Sequence, residues 1–306
     1  MAILFDSFTE WRNYLAQNAE APWQPVLGYE IQQHRRKEAE IWAKLDQAYV
    51  VMKDAVHTGL TEDMTSFSGM VNNGAKKVRD SKIHVLSPEF TLLLANTIAA
   101  KEVNSCMGRI VAAPTAGASG IMPGVLTTLE TLHHIERRRL LEGMLIAAGI
   151  ALIIEKRASI AGAVGGCQAE TGTAAAMGAG AIVHVMGGNF EQICEAVAIT
   201  IMNMLGLICD PVAGLVELPC VKRNGSASVI AFSSAQLALA GDSAVIPVDE
   251  VIDAMGEVGA SMATEYKETA LGGIANTPTA RAIEQKVLVN SAEMADEGFG
   301  DDSEDL

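Results

Sequence analysis

The chain has 306 residues, 49% of them apolar, with 28 glycines but only three tryptophans, four tyrosines and seven phenylalanines. That apolar content excludes a disordered chain, and the shortage of rings implies a core of small residues packed by close backbone approach. The formal charge of −15, from 37 acids against 22 bases, provides no basic face for a phosphate backbone or an anionic membrane surface, so neither nucleic acid nor membrane is an expected partner.

The start, MAILFDSFTEWRNYL, has no basic n-region and meets Asp6 before an apolar h-region can form. No targeting signal is expected, and the chain reads as cytoplasmic. Ser7-Phe8-Thr9-Glu10 has capping-box spacing just ahead of Trp11 and Leu15. A long helix is predicted over 30–57, with Ile41, Leu45, Ala48, Tyr49, Met52 and Val56 on one face and Gly59 as its stop. The charged run His34-Arg35-Arg36-Lys37-Glu38 reads as a solvated face of that helix. Residues 62–81 read as a polar loop with a turn at Asn72-Asn73-Gly74, and a loop of that length is often functional.

Further helices are predicted from Pro88 to Ala100, over 126–157 with a break near Arg137-Arg138-Arg139, from the capping box Asn189-Phe190-Glu191-Gln192, and after Pro247. The longest apolar run, Gly143 to Ile154, spans about 18 Å as a helix against about 30 Å of hydrocarbon, so it reads as a buried core helix. Strands are expected only at 83–86, 110–112 and 229–232. No fixed-period repeat is visible. The fold class is mainly α: a single compact helical domain over 1–296, with a helical N-terminal extension over 1–58 and an acidic tail, 297–306, expected to be disordered.

Between Ala161 and Gly188, 16 of 28 residues are Gly or Ala. Such density marks close-packed core helices or close approach to a ligand, since glycine otherwise costs helix stability. The five cysteines are Cys106, Cys167, Cys194, Cys209 and Cys220. An odd number argues against a disulfide framework and for free thiols, which can bind metal. No Cys-x-x-Cys pair occurs, so zinc-ribbon and ferredoxin patterns are absent. Cys167 follows Gly165-Gly166, Cys209 precedes Asp210-Pro211, and Cys220 follows Pro219. Each lies at an element boundary, where free backbone amides can donate to sulfur. On local context a three-cysteine metal site and three small buried hydrophobes both stay open.

The stretch 108–123 sets Thr115 and Ser119 among small residues, a polar turn whose hydroxyls and amides suit a carboxylate. It lacks the spacing and lysine of a P-loop. Neither a Gly-x-Ser-x-Gly elbow nor a His-Glu-x-x-His pair is present. His133 and His134 read as surface or core histidines, and His184 as a satisfied core histidine. A pyridoxal-phosphate site would need a Schiff-base lysine and a phosphate loop, and no convincing loop is found.

Three motifs in order, GRIVAAPTAGASGIMPGVL (108–126), GGCQAETGTAAAM (165–177) and NMLGLICDPVAGLVELPCVKRN (203–224), resemble the catalytic α domain of the iron–sulfur L-serine dehydratases. The resemblance covers roughly residues 60–280. It implies a helical fold holding a [4Fe-4S] cluster on Cys167, Cys209 and Cys220, with Cys106 and Cys194 as non-ligands. It implies conversion of L-serine to pyruvate and ammonia, with an open iron acting as a Lewis acid on the substrate hydroxyl and carboxylate. Thr115, Gly117 and Ser119 are then candidates for the substrate carboxylate. Glu170 is a candidate for its ammonium, and Lys222, Arg223 and Asn224 for carboxylate or cluster charge. No residue is assigned as the base.

Departures bear on the substrate: Ala118-Ser119 where the family often has Ser-Cys, Thr171 after the QAE motif, and Asn72-Asn73-Gly74-Ala75-Lys76-Lys77 where a Gly-Gly-acid-Ala pattern is expected. The family's second module carries a Ser-His-Thr-type motif, and His57-Thr58-Gly59 is only its nearest echo here. The resemblance therefore implies the α chain of an oligomeric two-chain enzyme of amino-acid catabolism and gluconeogenesis, completed by a β chain. The alternatives are a dehydratase of another small hydroxy or amino acid on the same scaffold, and a non-enzymatic metal-binding subunit.

Overall fold

The computed structural model describes residues 5–298, with side-chain surroundings defined to residue 290. The acidic tail therefore lies outside the described residues from position 299. Among those described there is no strand, only two isolated bridges, Thr65 with Asn72 and Cys209 with Lys267. None of the described helices is long and apolar enough to cross a membrane.

The chain opens with α1 (Phe8–Asn18), α2 (Trp23–His34) and α3 (Glu38–Thr61). Ser7 caps α1 by accepting from the Glu10 amide, while the Glu10 carboxylate returns to the Asp6 amide, one residue earlier than a capping box requires. Asp249 seals the same end by accepting from the Phe8 and Thr9 amides at 2.8 and 3.0 Å. The single helix predicted over 30–57 is instead two. Arg35 takes a left-handed φ of 50° and ends α2, so the run His34–Glu38 is an exposed corner rather than a helix face. Gly59 does not stop α3. It is where α3 crosses α5 (Pro88–Ser105): a Cβ at Gly59 would stand 2.6 Å from the Ala99 carbonyl carbon. Gly59→Ala is therefore expected to lower stability by about 1–3 kcal/mol, the cost of overpacking backbone against backbone, read as a lower urea midpoint at unchanged slope.

Residues 62–81 are a loop only in part. Asn73, at φ 52°, starts the short helix α4 (Gly74–Arg79). The predicted strands at 83–86 and 110–112 are irregular chain, and 229–232 lies inside α11. Their β-branched and aromatic residues suited a strand locally. In α11, however, Phe232 stacks edge-on against Phe90 of α5, and helix packing overrides the propensity.

Next come α6 (Ile121–His133), α7 (Arg137–Arg157), the single turn α8 (Gly162–Gly165), α9 (Thr173–Val185) and α10 (Phe190–Met204). α11 (Cys220–Leu239), α12 (Val248–Ser261) and α13 (Pro278–Gly298) complete the fold. Every residue of α9 is buried. It runs between α6, α7, α10 and α11, and its small residues allow that approach: Gly178 faces Val125 and Ala231, and Gly180 faces Ile150 and Val197. This is the close-packed core expected of the Gly/Ala-rich segment. Asn189 and Gln192 form the predicted reciprocal capping box on α10. His184 is a buried α9 residue, with Nε2 at 3.5 Å from a Glu142 carboxylate oxygen. Burial and the nearby Arg139 push it down to about 4, so it is neutral at physiological pH.

Candidate active site

The site lies where α5, α9 and α11 begin or end and three connecting segments meet. Cys167 precedes a π-helical turn, Gln168–Gly172, that feeds directly into α9. Such turns occur preferentially at functional positions because they redirect side chains without ending the helix. Cys209 lies in the segment after α10. Its amide donates to the Tyr266 carbonyl at 2.8 Å, and its carbonyl accepts from the Glu268 amide at 2.8 Å. Cys220 is the first residue of α11, where free amides and the helix dipole favour an anionic sulfur.

The three thiols are buried and lie within electrostatic reach of one another. Burial dominates their chemistry. It raises the Cys167 and Cys209 thiols and pushes Cys220 up to about 12. The opposing influences are Thr171, whose Oγ1 lies 2.9 Å from Cys167 Sγ, the Arg223 cation for Cys167 and the Lys101 cation for Cys220. Such a trio is stable as neutral thiols, or as thiolates bound to a metal that ionises them outright. Among the described residues no three His, Cys, Asp or Glu side chains converge tightly enough to hold a single metal ion. Cys106 is partly exposed, and Cys194 is buried mid-helix in α10.

The candidate substrate residues adjoin these thiols. Thr115 Oγ1 donates to Glu170 Oε1. Glu170 is buried, and its charge is felt by all three cysteines. Gly117 lies so close that any Cβ there would collide with the Glu170 carboxylate. Asn224 braces the turn from both sides: Nδ2 donates to the Gly117 carbonyl at 2.9 Å, and Oδ1 accepts from the Gly120 amide at 3.1 Å. The Ser119 hydroxyl is fully buried and has no hydrogen-bond partner.

Arg223 is held by the Ile208 carbonyl and by Asp210 Oδ1 at 2.7 Å, and from there it faces Cys167. Lys222 is set apart. It is exposed and points toward Gly74 and the Glu102 carboxylate.

The profile of the family described as serine dehydratase alpha chain matches residues 18–275, a span that contains all of these groups. The chain belongs to this family. The alpha chain of the L-serine dehydratase of Peptoniphilus asaccharolyticus is 44% identical over 267 residues, covering 86% of this chain and 91% of that one. The probable L-serine dehydratase alpha chain of Bacillus subtilis is 42% identical over 267 residues, 86% and 88% of the two chains. An L-serine dehydratase of Streptomyces coelicolor is 40% identical over 248 residues, which make up 78% of this chain but 54% of that protein.

Four acidic or basic residues near the site of this serine dehydratase alpha chain family member are not among the candidates that the motifs offer, although Glu217 lies inside the 203–224 motif. Lys101 and Glu102 lie on α5, Glu217 lies between Cys209 and Cys220, and Glu268 lies beside Cys209. Glu102 is buried and accepts from the Gly74 and Ala75 amides at 2.7 and 3.0 Å, which anchors α4. Glu217 accepts from the Ser66 hydroxyl at 2.6 Å and from Ser68, which anchors the 62–73 loop. Glu268 has a left-handed φ of 62°, and burial and the charge of Glu170 raise its carboxyl. A Cβ on Gly162 would lie 3.0 Å from Cys209 Sγ and 3.2 Å from Glu268 Oε2, so glycine there leaves room for the carboxylate beside the thiol. One cue to the α5 pair was present in the sequence: adjacent opposite charges, Lys101-Glu102, inside an otherwise apolar run.

Proposed function

We propose that this chain is the alpha chain of an iron–sulfur L-serine dehydratase, converting L-serine to pyruvate and ammonia in a reducing cytoplasm together with a beta chain. The observation that carries the proposal is three buried thiols within electrostatic reach of one another and of the Thr115–Glu170 pair, in a chain of this family. The donor set fits a [4Fe-4S] cluster: Cys167, Cys209 and Cys220 would hold it, and the Arg223 cation near Cys167 and the Lys101 cation near Cys220 favour their anionic forms. Bound there, the cluster would supply a Lewis acid through an iron without a protein ligand.

The remaining groups suit an amino acid. The Glu170 carboxylate is fixed by Thr115 through one oxygen and is matched in charge to an ammonium. The buried, unpartnered Ser119 hydroxyl offers a donor to a carboxylate. The Asn224 brace keeps the turn between them in place and so holds the substrate in one orientation. Burial of the whole arrangement excludes water and strengthens each of these contacts. Loss of water from serine leaves an enamine that tautomerises and hydrolyses in solution.

The test is anaerobic purification of this chain with its beta chain, followed by iron and acid-labile sulfide analysis and by pyruvate release from L-serine. About four irons and four sulfides per chain with pyruvate formed is the expected result. Neither iron nor sulfide after anaerobic reconstitution would overturn the reading. Turnover of a different hydroxy or amino acid in place of L-serine would move the substrate assignment and leave the cluster in place.

A further inference from the structure

One buried charge near the thiols, named above only as a neighbour of Cys220, has no role toward the substrate in that arrangement. Lys101 is fully buried on α5, and its ammonium donates only to uncharged oxygens. These are Asn104 Oδ1 on the same helix, the Ala116 carbonyl at 3.4 Å and the Val216 carbonyl at 3.0 Å. Ala116 belongs to the turn that carries Thr115, Gly117 and Ser119. Val216 belongs to the segment between Cys209 and Cys220, and Ser105 Oγ donates to the same carbonyl at 3.3 Å. A cation removed from water needs compensation, and neutral oxygens satisfy its protons without cancelling its charge. The acidic groups within its reach are the Cys220 thiol and the Glu170 and Glu217 carboxylates. Gly120 permits the approach, because a Cβ there would stand 2.9 Å from Lys101 Cβ.

We propose that Lys101 is a positioning residue for the substrate: its ammonium ties the 113–120 turn to the segment between Cys209 and Cys220, and its charge, bonded directly only to neutral oxygens, favours an anionic carboxylate beside that turn. The lysine acts through the turn and is not assigned contact with the reacting atoms. Its loss is therefore a loss of substrate binding, with the cysteines left in place.

The proposal rests on the dehydratase reading, and the test separates the two. Wild-type, Lys101→Met and Lys101→Ala holoenzymes, anaerobically loaded and combined with the beta chain, are assayed with L-serine, and the alanine variant also with added ethylamine. Both variants are expected to keep their iron and sulfide. Their KM for L-serine should rise at least about tenfold, the order lost with one charge-assisted hydrogen bond, while kcat changes less. Ethylamine, which replaces the missing end of the side chain, should lower KM for Lys101→Ala and leave wild type unchanged. Amide hydrogen exchange should quicken at 115–120 with α9 still protected.

A fall in kcat at unchanged KM, in proportion to lost iron, would assign a purely structural role and overturn the proposal. So would exchange that rises throughout the chain or nowhere. A wild-type holoenzyme that carries iron and sulfide yet forms no pyruvate from L-serine would overturn the dehydratase reading, and this proposal with it.

Discussion

Cys209→Ser is expected to reduce bound iron and acid-labile sulfide to background and to abolish pyruvate formation, with the helical circular dichroism of the chain retained. The argument begins from burial. Cys209 is 3% exposed, and burial, reinforced by its acidic neighbours Cys167 and Glu268, raises its thiol. Only a metal able to displace the proton makes a thiolate there, and sulfur is the donor that iron–sulfur clusters take. A serine hydroxyl at the same place ionises far less readily and is a harder ligand. The backbone around it is tied independently of the side chain, through the Tyr266 carbonyl and the Glu268 amide, so the segment keeps its place when the sulfur is lost. Two controls give the contrast. Cys106→Ser and Cys194→Ala should both keep iron, because Cys106 is partly exposed and Cys194 lies mid-helix in α10. Iron retained in Cys209→Ser and lost in Cys194→Ala would remove Cys209 from the ligand set.

How far the sequence could be read depended on whether the deciding interaction was local. The caps at Ser7 and Asn189 and the small-residue core helix were legible, since a cap lies within four residues and a run of Gly and Ala announces close packing by composition alone. The break between α2 and α3 was not, because it rests on one left-handed arginine in a charged run that continues the helical pattern. Residues 229–232 read as a strand for the converse reason: Val229, Ile230 and Phe232 have strand propensity, and only their packing in α11 decides against it. The three motifs announced their chemistry but not their bracing. That Asn224 would hold both ends of the 117–120 turn, across more than a hundred residues, follows from tertiary structure alone. The same holds for Glu217, whose partners Ser66 and Ser68 lie in the polar loop 62–81. That loop was suspected of function from its length, and the structure adds that it is fastened to the segment between Cys209 and Cys220.

Asp210→Ala is the substitution expected to cost most in stability. Asp210 is 1% exposed and uses both carboxylate oxygens: Oδ1 accepts from Arg223 at 2.7 Å, and Oδ2 accepts from the Ile274 amide at 2.7 Å. It also crowds Gly273, whose φ of 60° and lack of a Cβ let the 264–276 segment close over it. Alanine leaves the largely buried Arg223 guanidinium without a carboxylate partner, held by the Ile208 carbonyl, and it leaves the Ile274 amide without an acceptor. Breaking one side of a buried pair in this way costs about 3–5 kcal/mol, because the surviving charge keeps its desolvation penalty. Urea unfolding of the metal-free chain measures that loss without reference to activity. Asp210→Asn should be nearly as damaging: its amide can accept through only one oxygen, where two donors are aimed. The double substitution Asp210→Ala with Arg223→Met should recover part of the loss, because it removes the stranded cation as well. Recovery identifies the uncompensated charge as the cause, whereas strictly additive losses would place the cost in the Ile274 contact. Because Arg223 faces Cys167, the single Asp210→Ala variant should also bind iron less firmly than the wild type, through movement of a cation that the aspartate and the Ile208 carbonyl together hold beside the thiol.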